Sequence, residues 1–167
     1  ELNSWRNRTF TDWFDEVWGG TAFSTNHNVT ISASSKKTAT MLSLGYLDQG
    51  SLVDNAGYKR FNVNFNNTFK FSDRLKFTTA VLGSYSKNDA LPDRIYHIYQ
   101  LSRLAPVRDE NGKLKLYPTP NESLVTNPLC EIQNNQNSTD EYGVIGSAAL
   151  DWNIWDGLSY KFSVGLD

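Results

Sequence analysis

Along two stretches of the chain, 28–87 and 142–167, apolar and polar side chains alternate almost one for one. A repeat of two puts successive side chains on opposite faces of a strand. Val29, Ile31 and Ala33 alternate with Asn28, Thr30 and Ser32; past Ser34-Ser35-Lys36-Lys37, Leu42, Leu44 and Tyr46 alternate with Ser43 and Gly45. A third run, 58–71, sets Phe61, Val63, Phe65, Phe69 and Phe71 at odd positions and Asn62, Asn64, Asn66, Thr68 and Lys70 at even ones, with Asn67 the single break in its apolar face. The turn Ser72-Asp73-Arg74 leads to 75–87, where Leu75, Phe77, Val81 and Tyr85 oppose Lys76, Thr78, Ser84 and Ser86. Over 142–154, Tyr142, Val144, Ala148, Leu150, Trp152 and Ile154 oppose Ser147, Asp151 and Asn153. After Trp155-Asp156-Gly157, Leu158, Tyr160, Phe162, Val164 and Leu166 alternate with Ser159, Lys161, Ser163 and Asp167. The pattern predicts an all-β fold: an antiparallel meander of about six strands over 25–167, preceded by a segment 1–24.

Two regions lie outside this rhythm. Residues 11–18 predict a short helix, with Thr11 as cap, Trp13, Phe14, Val17 and Trp18 clustered on one side, and Gly19-Gly20 as the stop. Residues 88–141 form a long connection; Pro92 and the spacing of Ile95, Ile98 and Tyr99 predict a short helix near 92–104, and Asp109-Glu110-Asn111-Gly112 predicts a turn. A connection this long is usually functional or disordered.

Three features point to strands that cross a membrane. Runs 58–71, 75–87 and 142–154 exceed the usual five or six residues and match the roughly 9–11 needed for a tilted crossing. Connections alternate, short at 34–37, 72–74 and 155–157 and long at 49–57 and 88–141, as short periplasmic turns alternate with external loops in outer-membrane barrels. Lys70, Lys76, Asp151 and Lys161 all fall on the polar side, while the opposite side carries no charge from Phe61 to Phe71 or from Tyr142 to Ile154. With the short turns periplasmic, Tyr46, Tyr85 and Tyr142 fall at the external ends of the apolar faces. Phe71, Phe77, Trp152 and Tyr160 fall at the periplasmic ends, giving two interfacial girdles against membrane lipid. A free-standing soluble β-sandwich that binds carbohydrate through Trp and Tyr is the alternative; it would account for the mean hydropathy of −0.50 but not for the alternating connections.

Composition refines the picture. Asn is disfavoured in strands, so the Asn-rich runs call for a face turned to a wet interior. A net charge of −2 gives no footing for nucleic acid. The single cysteine, Cys130, cannot form an internal disulfide and reads as a small surface or loop residue. Glu1 opens the chain in polar sequence and Asp167 falls within an alternating run, so both ends read as cut.

Several segments together resemble one family, the SusC/RagA-type TonB-dependent transporters of Bacteroidetes outer membranes. Thr11-Asp12-Trp13-Phe14-Asp15-Glu16 is similar to the acidic-aromatic motif before an early hairpin. Asn26-His27-Asn28-Val29-Thr30-Ile31-Ser32, Lys37-Thr38 and Leu42-Ser43-Leu44-Gly45-Tyr46-Leu47-Asp48-Gln49-Gly50 carry the likeness most specifically. Lys59-Arg60-Phe61-Asn62, Asp73-Arg74-Leu75-Lys76-Phe77, Ala105-Pro106-Val107, Asn127-Pro128-Leu129 and Asp156-Gly157-Leu158-Ser159 continue it. The resemblance implies a plugged barrel of about 22 strands in the cell outer membrane, of which this chain would hold an early part. It implies a SusD-like surface lipoprotein as partner, TonB as energy source through parts of the protein lying elsewhere, and an oligosaccharide or a peptide as cargo.

No enzymatic chemistry is visible. There is no nucleophile elbow, phosphate loop or pair of catalytic carboxylates, and no cofactor motif. His27 and His97 sit in different segments without metal spacing. Asp109, Asn111 and Gly112 echo a calcium loop, but its twelfth position is Pro120 instead of glutamate. The triplets at Asn7, Asn28, Asn66, Asn121 and Asn137 read as composition. The candidate contact residues are Tyr96, Tyr99 and Tyr117 of the long connection, which would stack on sugar rings, meet a lipoprotein, or pack the loop against itself. In water, an isolated fragment of this kind is expected to curl or dimerise so as to bury Phe61, Phe65, Phe69, Val81, Leu150 and Phe162.

Overall fold

Six strands form one sheet in which each strand lies beside its neighbours in sequence: β1 (Ser24–Ser34), β2 (Thr38–Gly50), β3 (Gly57–Ser72), β4 (Leu75–Asp89), β5 (Ser138–Trp155) and β6 (Leu158–Leu166). The predicted antiparallel meander is thus the observed fold. The structure, a computed structural model, describes residues 2–119 and 125–167. Pro120 and Asn121, which the calcium-loop and triplet readings touched, lie outside the described residues.

The strands run longer than the alternation alone marked out. β3 has 16 residues and β5 has 18. Short turns separate β1 from β2, β3 from β4 and β5 from β6; the last needs Gly157 at φ +96°, where any side chain would strain the backbone. Register is explicit between β5 and β6: Ala148, Leu150 and Trp152 stand opposite Val164, Phe162 and Tyr160, and Asp151 stands opposite Lys161. The two faces predicted from the alternation therefore hold across the pair. β1 and β6 each have one strand neighbour, so the sheet is open.

The described residues divide into two units. Thr25–Asp48, Tyr58–Lys87 and Asp140–Asp167 make up the sheet unit; Glu1–Ser24, Gln49–Gly57 and Asn88–Thr139 make up the other. The buried apolar core belongs wholly to the second unit, around Trp13, Val17, Val53, Ile95, Ile98 and Ile132. In the sheet unit, by contrast, Phe61, Val81 and Phe162 stay exposed, and Phe65, Phe69 and Leu150 are half-buried.

Three short α-helices lie in the core-bearing unit: α1 (Leu2–Asn7), α2 (Trp13–Trp18) and α3 (Pro128–Gln133). α2 is the helix predicted at 11–18, but its cap is Asp12, whose carboxylate accepts from the N–H groups of Phe14 and Asp15. Thr11 is committed elsewhere: its hydroxyl donates to the Ala105 carbonyl at 2.8 Å and its N–H to the Arg103 carbonyl at 2.7 Å. Trp13 and Val17 are buried, whereas Phe14 faces out against Trp18, ring centroids 5.0 Å apart.

The helix expected near 92–104 is a 3₁₀ helix, Asp93–Gln100. In that geometry residues three apart eclipse. Ile95, Ile98 and Leu101 accordingly go inward, and Tyr99, four from Ile95, turns out to 80% exposure.

Asn127 joins the parts of this unit. It is fully buried and caps α3 by accepting from the Leu129 N–H at 3.0 Å. Its amide donates to the Val107 carbonyl at 3.0 Å and its backbone N–H to the Leu116 carbonyl at 2.8 Å. Losing a buried, hydrogen-bonded amide typically costs about 1–3 kcal/mol. Asn127→Ala in the complete protein is therefore expected to speed proteolytic cleavage within 88–139 at native temperature while leaving the sheet's resistance to cleavage intact.

Candidate membrane face and wet face

The two faces of the sheet differ in what their polar groups do. On the apolar face, the ten steps from Phe61 to Phe71, at about 3.3 Å each, reach about 33 Å. A strand tilted by about 40° spends that length on about 25 Å of depth, the height of an outer-membrane apolar band. Asn67 interrupts this stretch, and β2 supplies its partner: the Thr40 hydroxyl donates to the Asn67 side-chain oxygen at 2.8 Å. Thr40 shares the parity of Leu42 and Leu44, so this bond joins two polar side chains of the same face and gives the Asn67 oxygen a donor. A polar group left unpaired in hydrocarbon would cost several kcal/mol.

One end of the band is bordered by tyrosines bonded to carboxylates. The Tyr46 hydroxyl donates to Asp48 at 3.0 Å, and Lys59 pairs with the same carboxylate at 3.4 Å. The Tyr85 hydroxyl donates to Asp140 at 2.7 Å, and its ring lies 4.9 Å from that of Tyr142. In each case the ring continues the apolar face and the hydroxyl reaches a charge just beyond it. The carboxylates went unnoticed in the sequence, although Tyr46-Asp48 and Asp140-Tyr142 are two apart and so share a face in any strand. Toward the other end, Phe69 and Phe71 meet edge to face at 4.8 Å, and Trp152 stands across from Tyr160. Phe77 is half-buried on β4.

The opposite face is mostly polar, with Leu82 and Ile145 as apolar members, and its polar side chains bond to one another. Thr30 meets Ser43 at 2.9 Å across β1 and β2. Asn28 donates to Asn26 at 2.9 Å, and Asn66 to Asn64 at 2.7 Å. Gly45 is the one buried sheet residue among those described: a Cβ there would stand 2.6 Å from the Asn62 side-chain oxygen and 2.8 Å from that of Asn28. Near the short turns Asp151 takes Lys76 at 3.1 Å and Lys161 at 3.8 Å, beside a cavity of about 440 Å³ that Lys70 and Arg74 also line.

The three candidate contact tyrosines all reach the surface: Tyr96 and Tyr99 on the 3₁₀ helix and Tyr117 beyond it. No ring pair among the described residues joins them to one another. Asp109 closes its turn by accepting from the N–H groups of Asn111 and Lys113, both at 2.9 Å. His27 lies exposed on β1, and His97 is half-buried on the 3₁₀ helix. Among the described residues no three His, Cys, Asp or Glu side chains gather as metal ligands.

Cys130 on α3 is half-buried, its thiol 3.9 Å from the Lys115 carbonyl. Burial raises its pKa above the ordinary thiol value, and the Glu131 carboxylate beside it pushes the same way.

The comparisons with known proteins agree with the fold. The chain is 41% identical over 69 residues to the TonB-dependent receptor SusC of Bacteroides thetaiotaomicron, a match covering 40% of this chain and 7% of that protein. It is 26% identical over 143 residues to the TonB-dependent receptor P26 of Formosa agariphila, covering 84% of this chain and 14% of that one. Two structures of RagAB, described as a peptide importer and a peptide transporter, superpose with TM-scores of 0.71 and 0.72 at 19% and 18% identity. They cover 93% and 95% of this chain and 18% and 19% of theirs. No family model matches. The chain thus spans less than a fifth of the proteins it matches. The matches bear out the resemblance to SusC/RagA-type TonB-dependent receptors and the outer-membrane location that goes with it.

Two expectations follow. Phe65→Arg puts a charge at mid-depth of the apolar face and should destabilise the complete barrel by about 2–4 kcal/mol. Asn64→Arg, one residue away on the wet face, should cost well under half of that; folding titrations in lipid vesicles measure both. Alkylation of Cys130 in the folded protein at pH 7.5 should be several-fold slower than in denaturant, and its rise with pH should come later than the ordinary thiol value of about 8.5.

Proposed function

We propose that this chain, a barrel segment of a SusC/RagA-type TonB-dependent receptor, forms part of the wall of an outer-membrane transporter that imports a nutrient. Its cargo is an oligosaccharide, with a peptide as the second choice, and it works with a SusD-like surface lipoprotein and with TonB. The segment performs no turnover. Its apolar face meets lipid, its polar face lines the wet interior, and the second unit with Tyr96, Tyr99 and Tyr117 contributes to contacts with cargo or lipoprotein.

One observation carries this reading: a face uncharged from Phe61 to Phe71, edged by tyrosines bonded to carboxylates, is backed by a face of Asn, Ser, Thr and Lys. A soluble protein would need a second layer over the apolar side. The sheet unit is a single layer, and none of the buried apolar core residues belongs to it, so the carbohydrate-binding sandwich is the weaker reading.

Deleting the complete gene tests the proposal. Growth on a particular oligosaccharide or peptide source should be lost and then restored by a plasmid copy, with the protein recovered in the outer-membrane fraction. Recovery as a water-soluble protein, with growth unchanged on every glycan and peptide source tried, would contradict it.

A further inference from the structure

Away from the short turns, the polar face brings together the chemistry of a ligand site. β3, β4 and β5 are adjacent interior strands. Tyr58 and Arg60 on β3, Ser84 and Ser86 on β4, and Glu141 on β5 line a cavity of about 300 Å³. These five have the parity of the wet face; Tyr142, of the other parity, also borders the cavity. Gly143 helps to keep it open, because a Cβ there would come 3.0 Å from the Ser84 hydroxyl. The Ser86 hydroxyl approaches Glu141 at 3.4 Å, a long bond that leaves the carboxylate with capacity to spare. Arg60 forms no ion pair among the described residues.

We propose that this cluster is a subsite for one sugar residue of a neutral glycan. The inference rests on the transporter reading above and assigns cargo contact to residues other than the three tyrosines. The volume stands at the lower end of the about 300–1,000 Å³ usual for small-molecule sites. Arg60 offers a fork of donors and Glu141 two acceptors, the pair that adjacent hydroxyls of a sugar can meet at once. Ser84 and Ser86 both donate and accept, and the Tyr58 ring offers an apolar platform. The charges of Arg60 and Glu141 cancel, which suits an uncharged ligand. An extended peptide is the poorer fit: it would bind through its main chain to a free strand edge, and each of these three strands is flanked on both sides.

The test uses the complete receptor purified in detergent. Its probes are neutral hexasaccharides of glucose, galactose, mannose and xylose, with a tryptic casein digest alongside, and binding is measured by calorimetry. Wild type should bind at least one hexasaccharide, and Arg60→Ala and Glu141→Gln should each weaken that binding about tenfold or more, as loss of a charged hydrogen-bond partner does. Heat-modifiable gel migration checks folding, and Tyr58→Leu and Ser86→Ala replace either charge variant that fails it. Unchanged glycan affinity in the folded variants overturns the subsite and leaves the transporter reading standing. Binding of the peptide digest alone overturns the glycan assignment. Failure of wild type to bind any probe, together with no growth phenotype on deletion, removes the transporter reading and this inference with it.

Discussion

Hydrocarbon offers no partner to a backbone amide and little shelter to a charge, and this one constraint accounts for most of what the sheet unit is. Every amide in a crossing strand must be paired with a neighbouring strand, which favours long strands joined in sequence order by tight turns. Every side chain turned to lipid must be apolar or internally satisfied. β3 follows this pattern: it has a strand on either side, its phenylalanines hold the outward face, and the exception, Asn67, accepts a hydrogen bond from Thr40 on β2. The same constraint explains why the sheet unit has no buried core. A barrel wall is one layer thick, and its apolar side is covered by lipid instead of by a second sheet.

The borders of the face follow from the same physics. Where the bilayer gives way to water, a side chain with an apolar ring and a polar tip is favoured. In the proposed wall Tyr46 and Tyr85 would take that place, with hydroxyls bonded to Asp48 and Asp140 just past the apolar stretch. Lys59 adds a counter-charge at Asp48. On the other side of the sheet, amides and hydroxyls bond among themselves, and Asp151 holds two lysines. Such groups are tolerable beside water and very costly beside lipid, so the two sides cannot be exchanged. A one-residue slip in register would exchange them, and the segregation of charge therefore fixes register as well as orientation.

How much of this was legible in the sequence depended on the kind of signal. Period two is dense and local, so the six strands, their order and their faces could be read from Val29 to Leu166. Helix ends were less legible because capping is a competition that sequence does not decide. Thr11 and Asp12 are both good caps, and the long-range bonds of Thr11 to Arg103 and Ala105 left the role to Asp12. The 3₁₀ geometry of Asp93–Gln100 turned Tyr99 outward although helical spacing would have aligned it with Ile95. α1 and α3 were missed. Asn127-Pro128 is an N-cap followed by a first-turn proline, a readable signal for α3 that six residues of helix made easy to pass over. The cluster at Tyr58, Arg60, Ser86 and Glu141 gathers residues from three strands, and no single run of sequence reveals it.

The central claim is that odd positions of β3 meet lipid and even positions meet water. Spin labels placed one at a time at residues 61–69 of the complete receptor in lipid vesicles, with Cys130 replaced by serine, measure this directly through collision with oxygen and with a water-soluble nickel chelate. The account predicts oxygen accessibility peaking at 61, 63, 65 and 69 and nickel accessibility peaking at 62, 64, 66 and 68. Equal nickel accessibility at odd and even positions would contradict it.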